Sequence, residues 1–253
     1  MLKPVLGSQI QLGHPLANGL VGCWLMNEGG GDIVQDLSGN GNKGIFGSGA
    51  ASPIWVPGKS GHAIRFDGGD QVNVATPPTF LETTILMRFK INTLANDGLL
   101  GRFNGDSGGN ESNIYYDSDG WIIVSWYNTT NTQNTITANQ NRTAGKWYDM
   151  AVTIKDGEQH IYVDGVLKNS DTDAGVIRSG VAGMWIGRAY TGGPCIADIE
   201  YVYIFNRTLS AGEIQDLYVN PFAIIQPTFS VWWYSGIGGE APAAYGQVIM
   251  IGN

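Results

Sequence analysis

The chain has 253 residues, 43% of them hydrophobic and 14% charged, with 37 glycines and a formal net charge of −8. That much apolar content excludes a disordered chain, and glycine without a Gly-X-Y period excludes collagen. An acidic balance with no run of Lys or Arg lacks the footprint that nucleic acid or an anionic membrane needs, and leaves a cation or a neutral ligand such as a sugar.

Met1 to Gly13 carries one lysine and is interrupted by Gln9 and Gln11, so it does not read as a signal peptide. The expectation is a chain made in a cytoplasm, leaving, if at all, inside an assembled particle. Residues 1–17 show no clear strand pattern and read as an N-terminal arm. Strands are then predicted over Leu20–Met26, His62–Phe66, Gln71–Ala75, Thr84–Ile91 and Trp121–Tyr127. Two-residue Asp-Gly turns, the cheapest way to supply two positive φ angles, are expected at Asp119–Gly120, Asp156–Gly157 and Asp164–Gly165. Asp67–Gly68 reads as a longer relative. Around the middle pair the alternation is plain. Tyr148, Met150, Val152 and Ile154 share one face, Asp149, Ala151 and Thr153 the other, and Ile161 and Val163 continue the apolar set. The predicted core is Trp24, Phe66, Val152, Ile161, Val163 and Ile204.

Ser210 with Glu213 three residues on forms a capping box, and Ile214, Leu217 and Tyr218 give the helix behind it an apolar face. Asn220–Pro221 ends that helix near residue 219. Leu217 to Gly239 is the longest apolar stretch without a charge, but Asn220, Pro221, Gln226 and Pro227 break it as a membrane helix. The reading is three parts: an arm (1–17), a β-domain (18–220) and an apolar extension (221–253) whose single charge is Glu240. Within the extension, Trp232, Trp233 and Tyr234 alternate between two faces, so one sheet edge does not cover them. They are expected to be covered by other chains as an assembly element, with folding back onto the parent domain as the alternative. Cys23 and Cys195 are too few for a disulfide framework and read as buried thiols.

Six blocks in order then make a pattern. They are Gly19-Leu20-Val21-Gly22-Cys23-Trp24 with Asn27-Glu28, Asp36-Leu37-Ser38-Gly39-Asn40-Gly41-Asn42, and Trp55 through Gly61. Ile64-Arg65-Phe66-Asp67-Gly68, Gly145-Lys146-Trp147-Tyr148 with Ile161 to Val166, and Ile199 to Ser210 complete it. Over about 200 residues this resembles the laminin-G-like branch of the concanavalin A-like lectin/glucanase domains. The resemblance implies an all-β jelly-roll sandwich of two antiparallel sheets with one short helix after the last strand. It also implies that a structural calcium ion is common.

The residues allow that ion without demanding it. The loop Asp32 to Asn42 is rich in oxygen donors, though no Glu falls where an EF-hand needs one. It either holds a cation or simply makes Asn-Gly turns. If a calcium is bound, Asp36, Asn40 and Glu200 are the expected ligands, with Glu28 in reserve. Enzymes of the resembled class carry three acids on one strand. Here Asp198 and Glu200 share a face, but Val202 and Ile204 follow them on it, so the third acid is missing and no catalytic activity is expected.

For sugar binding, Trp121 and Tyr127 lie on the strand face that also carries Ser125, whereas Ile122, Val124 and Trp126 make the apolar, core-facing set. Tyr115, Tyr116 and Tyr190 are further candidates. The function expected is therefore a non-enzymatic structural protein of a virus particle, in line with the module's occurrence in tailed bacteriophages, as capsid decoration or tail or fibre component. Its partners would be copies of itself, other virion proteins and a surface glycan, with no nucleic acid and no membrane. The alternatives are a free carbohydrate-binding module or adhesin and, less favoured, a glycoside hydrolase.

Overall fold

A computed structural model describes residues 2–226 except 80, 105–108, 173–174, 179–182 and 191. Trp232, Trp233 and Tyr234 lie outside the described residues. Strands account for 49% of those described. In chain order they are β1 (Gln9–Ile10), β2 (Leu20–Trp24), β3 (Ile33–Val34), β4 (Gly44–Phe46), β5 (Ile54–Pro57), β6 (His62–Asp67) and β7 (Val72–Val74). Then come β8 (Thr83–Ile91), β9 (Asp97–Asn104), β10 (Gly109–Tyr116), β11 (Ile122–Tyr127), β12 (Gln133–Ala138), β13 (Trp147–Lys155) and β14 (Glu158–Val163). The last are β15 (Val166–Asp171), β16 (Gly183–Ile186), β17 (Arg188–Ala189), β18 (Gly193–Pro194), β19 (Ile196–Phe205) and β20 (Ile225–Gln226), with α1 (Ala211–Val219) before β20.

Two antiparallel sheets face each other. The larger runs β12-β11-β10-β9-β16-β7-β4-β3, and the smaller β15-β14-β13-β8-β19-β6-β5 with β2 paired to β19. The core between them holds all six residues predicted for it, each at most 3% exposed. Alternation explains the assignment. Tyr148, Met150, Val152 and Ile154 of β13 point inward beside Ile161 and Val163 of β14, and Ile122, Val124 and Trp126 of β11 meet them from the larger sheet.

The other face of the smaller sheet is covered too. Leu86, Ala151, Tyr162, Tyr201, Tyr203 and Phe205 form a second core with Ile214 and Leu217 of α1. Leu16 from the N-terminal arm and Phe222, Ile224 and Ile225 from beyond the helix close it. The two ends of the described chain pair with one another there, Gln9 opposite Gln226 and Ile10 opposite Ile225.

The helix starts as its capping box dictates, with the Ser210 hydroxyl accepting from the Glu213 amide and the Glu213 carboxylate from Ser210. Asp156–Gly157 and Asp164–Gly165 turn with positive φ at the aspartates (42° and 52°) and at the glycines behind them, as a two-residue hairpin requires. Asp119–Gly120 differs. Only Gly120 has positive φ, and the turn spans Asp117 to Gly120, closed by Gly120 N–H to Asp117 O at 2.9 Å. The Asp117 carboxylate, accepting from the amides of Asp119 and Trp121, replaces the two-residue geometry.

Cys23 and Cys195 are free and buried. Cys195 sits in the core between the sheets and Cys23 in the second core, and burial pushes both thiols well above their ordinary range. Among the described residues, no helix is long and apolar enough to cross a membrane.

Candidate functional site

β12 and β15 are the last strands of their sheets, so the sandwich ends along this side in two edges. Ile136 and Ala138 of β12 point into the core and Thr137 points away. The Asn169 amide of β15 donates to Thr137 O at 3.1 Å and ties the edges together. Between them lies a cleft of about 360 Å³ lined by Thr137, Asn139, Gln140, Leu167, Lys168 and Asn169. The side chains of Asn139, Gln140 and Lys168 make no hydrogen bond or ion pair among the described residues. Such a lining offers amide donors and acceptors, a hydroxyl and one ammonium, with Leu167 as its apolar wall. That is the inventory a polyhydroxylated ligand needs.

Trp121 is not one of the lining residues but is tied to the segment that supplies two of them. It is half-buried, and its indole N–H donates to Asn141 Oδ1 at 3.0 Å, one residue beyond Gln140. Tyr127 is at the other end of β11, about 20 Å along an extended strand, with the Arg178 guanidinium 5.5 Å from its ring centre. The structure therefore does not gather Trp121 and Tyr127 into one platform. Tyr115 is half-buried and Tyr190 is 56% exposed. Tyr116 is core, its hydroxyl donating to Asp97 Oδ2 at 3.0 Å.

Asp36 and Asn40 do organise the loop that contains them. The Asp36 carboxylate accepts from the amides of Cys23, Ser38 and Asn42, the Ser38 hydroxyl and the Asn42 side chain, between 2.8 and 3.0 Å. Five donors are the opposite of what a cation meets. Asn40 Nδ2 donates to Val21 O at 3.2 Å and Ser38 Oγ at 3.1 Å.

Glu200 belongs elsewhere. It is fully buried, accepts from the Ser60 amide, and meets Arg88 Nη1 at 3.1 Å. Asp36 and Glu200, expected to share a calcium ion, keep separate sets of partners with none in common. Among the described residues no three His, Cys, Asp or Glu side chains converge.

A lysine of the chain itself lies against the main chain at Glu200. Lys3 Nζ donates to Glu200 O at 2.7 Å, Met26 O at 3.3 Å and His62 O. Burial pulls this ammonium down to about 7, against the attraction of Glu200 and Glu28 and with some repulsion from Arg88. Glu28 accepts from the Gln35 amide at 2.7 Å. Sequence reasoning missed Lys3 because nothing local marks a lysine whose acceptor lies 197 residues away.

The same strand corrects the face assignment. β19 shifts register between Ile199 and Tyr201, so Ile199 and Val202 both point into the core while Glu200 and Tyr201 both point away from it. Val202 and Ile204 therefore do not follow Asp198 and Glu200 on one face. Asp198 is also fully buried. Arg65 Nε and Nη2 hold it at 2.8 and 3.0 Å, Lys90 at 2.7 Å and Asn92 at 2.7 Å. Burial works to raise its carboxyl, but these partners outweigh it and keep it below the usual range. Both acids are spent on cations of the fold itself.

The model of the concanavalin A-like lectin/glucanases superfamily, laminin-G type, matches residues 66–215. No curated protein sequence matches the chain. Among solved structures, domain 4 of an extracellular arabinanase from Geobacillus stearothermophilus, in complex with arabinotriose, aligns at TM-score 0.65 and 16% identity, over 79% of this chain and 98% of that one. The binding domain of botulinum neurotoxin serotype G aligns at TM-score 0.64 and 16% identity, over 81% of this chain and 51% of that one. The binding domain of a paraclostridial mosquitocidal protein aligns at TM-score 0.65 and 15% identity, over 82% and 53%. At these identities the likeness is one of fold.

Proposed function

The chain belongs to the concanavalin A-like lectin/glucanase superfamily, and from that premise we propose that it is a non-catalytic glycan-binding module whose site is the cleft between β12 and β15. One observation carries the reading. Asn139, Gln140 and Lys168 face a 360 Å³ cleft with no partner of their own among the described residues. Amides in that arrangement take sugar hydroxyls in pairs, and Trp121 beside them offers an apolar face for a sugar ring. The burial and ion pairing of Asp198 and Glu200 support a binding rather than a hydrolytic role. The arabinotriose complex of the arabinanase domain is in keeping with a glycan ligand for this fold.

A glycan array probed with the full chain tests it, followed by calorimetric titration of the best ligand. The double variant N139A/Q140A should lose at least tenfold in affinity, as two hydrogen bonds of about 1 kcal/mol each predict. An array without a hit, or binding indifferent to the double variant, overturns the reading.

A second reading places the module on a virus particle, paired with copies of itself or with other virion proteins. Its support is compositional: Trp232, Trp233 and Tyr234 stand in a segment with one charge, Glu240. The deletion that tests it begins at residue 227, because Phe222, Ile224 and Ile225 belong to the second core. A truncated chain that keeps both the oligomeric state and the particle incorporation of the full chain overturns this reading.

A further inference from the structure

Resting on the cleft as the glycan site, we propose that the glycan is acidic, with Lys168 taking a sugar carboxylate while Asn139 and Gln140 take hydroxyls. Lys168 is the one charged residue in the lining, and it forms no ion pair among the described residues. In a chain of net charge −8, an ammonium left without a carboxylate at the wall of a polar cleft stands out.

An independent observation lies behind the same wall. Arg142 is 5% exposed, and its Nη1 donates to the main-chain oxygen of Gln140, a lining residue. Its Nε and Nη2 are buried with no hydrogen-bond partner. The aromatic ring of Tyr148, 5.7 Å from the guanidinium carbon, offers it a π face rather than a counter-ion. Burying a charge without a counter-ion in contact is costly, and here burial outweighs the through-space attraction of Asp164, so compensation is incomplete and more is left to be supplied. A carboxylate seated in the cleft supplies it through space, while Lys168 makes the direct contact. A neutral sugar would use the amides equally well and leave both cations as they are.

The test is a panel of uronate-containing oligosaccharides, each paired with its carboxyl-reduced counterpart, titrated against the full-length protein and against K168Q. The acidic member of the best pair should bind at least tenfold more tightly, the magnitude expected of a hydrogen bond to a charged group. That preference should shrink as salt is raised and should collapse towards equality in K168Q. Equal affinities within each pair, or a preference that survives in K168Q, overturns the assignment of the carboxylate while leaving the glycan site standing. A panel in which neither member of any pair binds, with no hit on the array, removes the glycan reading and this inference with it.

Discussion

Two polar regions of this molecule, both on or beside the smaller sheet, behave in opposite ways. Under α1 and the terminal segments, Arg88 bridges Asp149 at 2.8 Å and Glu200 at 3.1 Å, and Lys3 closes the group from the N-terminal arm. These groups are buried and partnered by one another, so their work is spent on holding the fold. At the open edge, Asn139, Gln140 and Lys168 have no such partners and surround a cleft. Polarity alone does not mark a binding site, and the difference lies in whether the fold has already satisfied the polar groups.

The largest expected effect breaks the buried side. Glu200→Ala strips Arg88 of one counter-ion and the Ser60 amide of its acceptor in the interior, which should cost about 3–5 kcal/mol in urea unfolding. A loss below about 1 kcal/mol would mean the network is not worth what its burial suggests.

Next comes a pH effect. Lys3 is held near 7 in the folded protein against an ordinary 10.5. Between those values the unfolded chain binds the extra proton, so this group makes stability rise with pH over that window, and its penalty is complete below 7. Cys23 and Cys195, pushed up by burial, act in the opposite sense above their ordinary range. The clean measurement is therefore the difference in melting temperature between the native chain and Lys3→Met from pH 6 to 10. The native chain should gain on the variant as pH rises, and a flat difference refutes the assignment.

A smaller effect concerns the helix cap. Glu213 is held at about 2, chiefly by its hydrogen bond from Arg207 at 2.6 Å and also by Ser210. A depressed carboxyl contributes stability above its ordinary 4.5 that is lost as pH falls towards 2. Glu213→Gln should cost about 1 kcal/mol at neutral pH and flatten that acid limb. The smallest effect sharpens the contrast from the other side: Asn139→Ala should leave stability within about 0.5 kcal/mol of native, because it breaks no hydrogen bond within the fold. A large loss there would make the cleft part of the scaffold.

The period-two alternation around Val152, Ile161 and Val163 was legible from the residues, as were the hairpins at Asp156–Gly157 and Asp164–Gly165 and the capping box at Ser210. Each depends on neighbours within a few positions, which the chain states directly. Trp121 was legible as a candidate, but its setting beside the cleft was not, because the cleft forms where the edges of two different sheets end together. The apolar residues of β13 announced a core on one face. That Ala151 and Tyr162 on the other face are buried too follows only from α1, Leu16 and Phe222 arriving to cover them. The reversal of faces after Glu200 comes from one extra residue in a pairing between distant strands, and alternation within β19 has no means of showing it. The ammonium of Lys3 reaches its acceptors across 23, 59 and 197 residues. Local pattern therefore determined which segments are strands and which side chains seek the interior, while the pairing of distant segments decided which polar groups are satisfied within the fold and which are left facing the cleft.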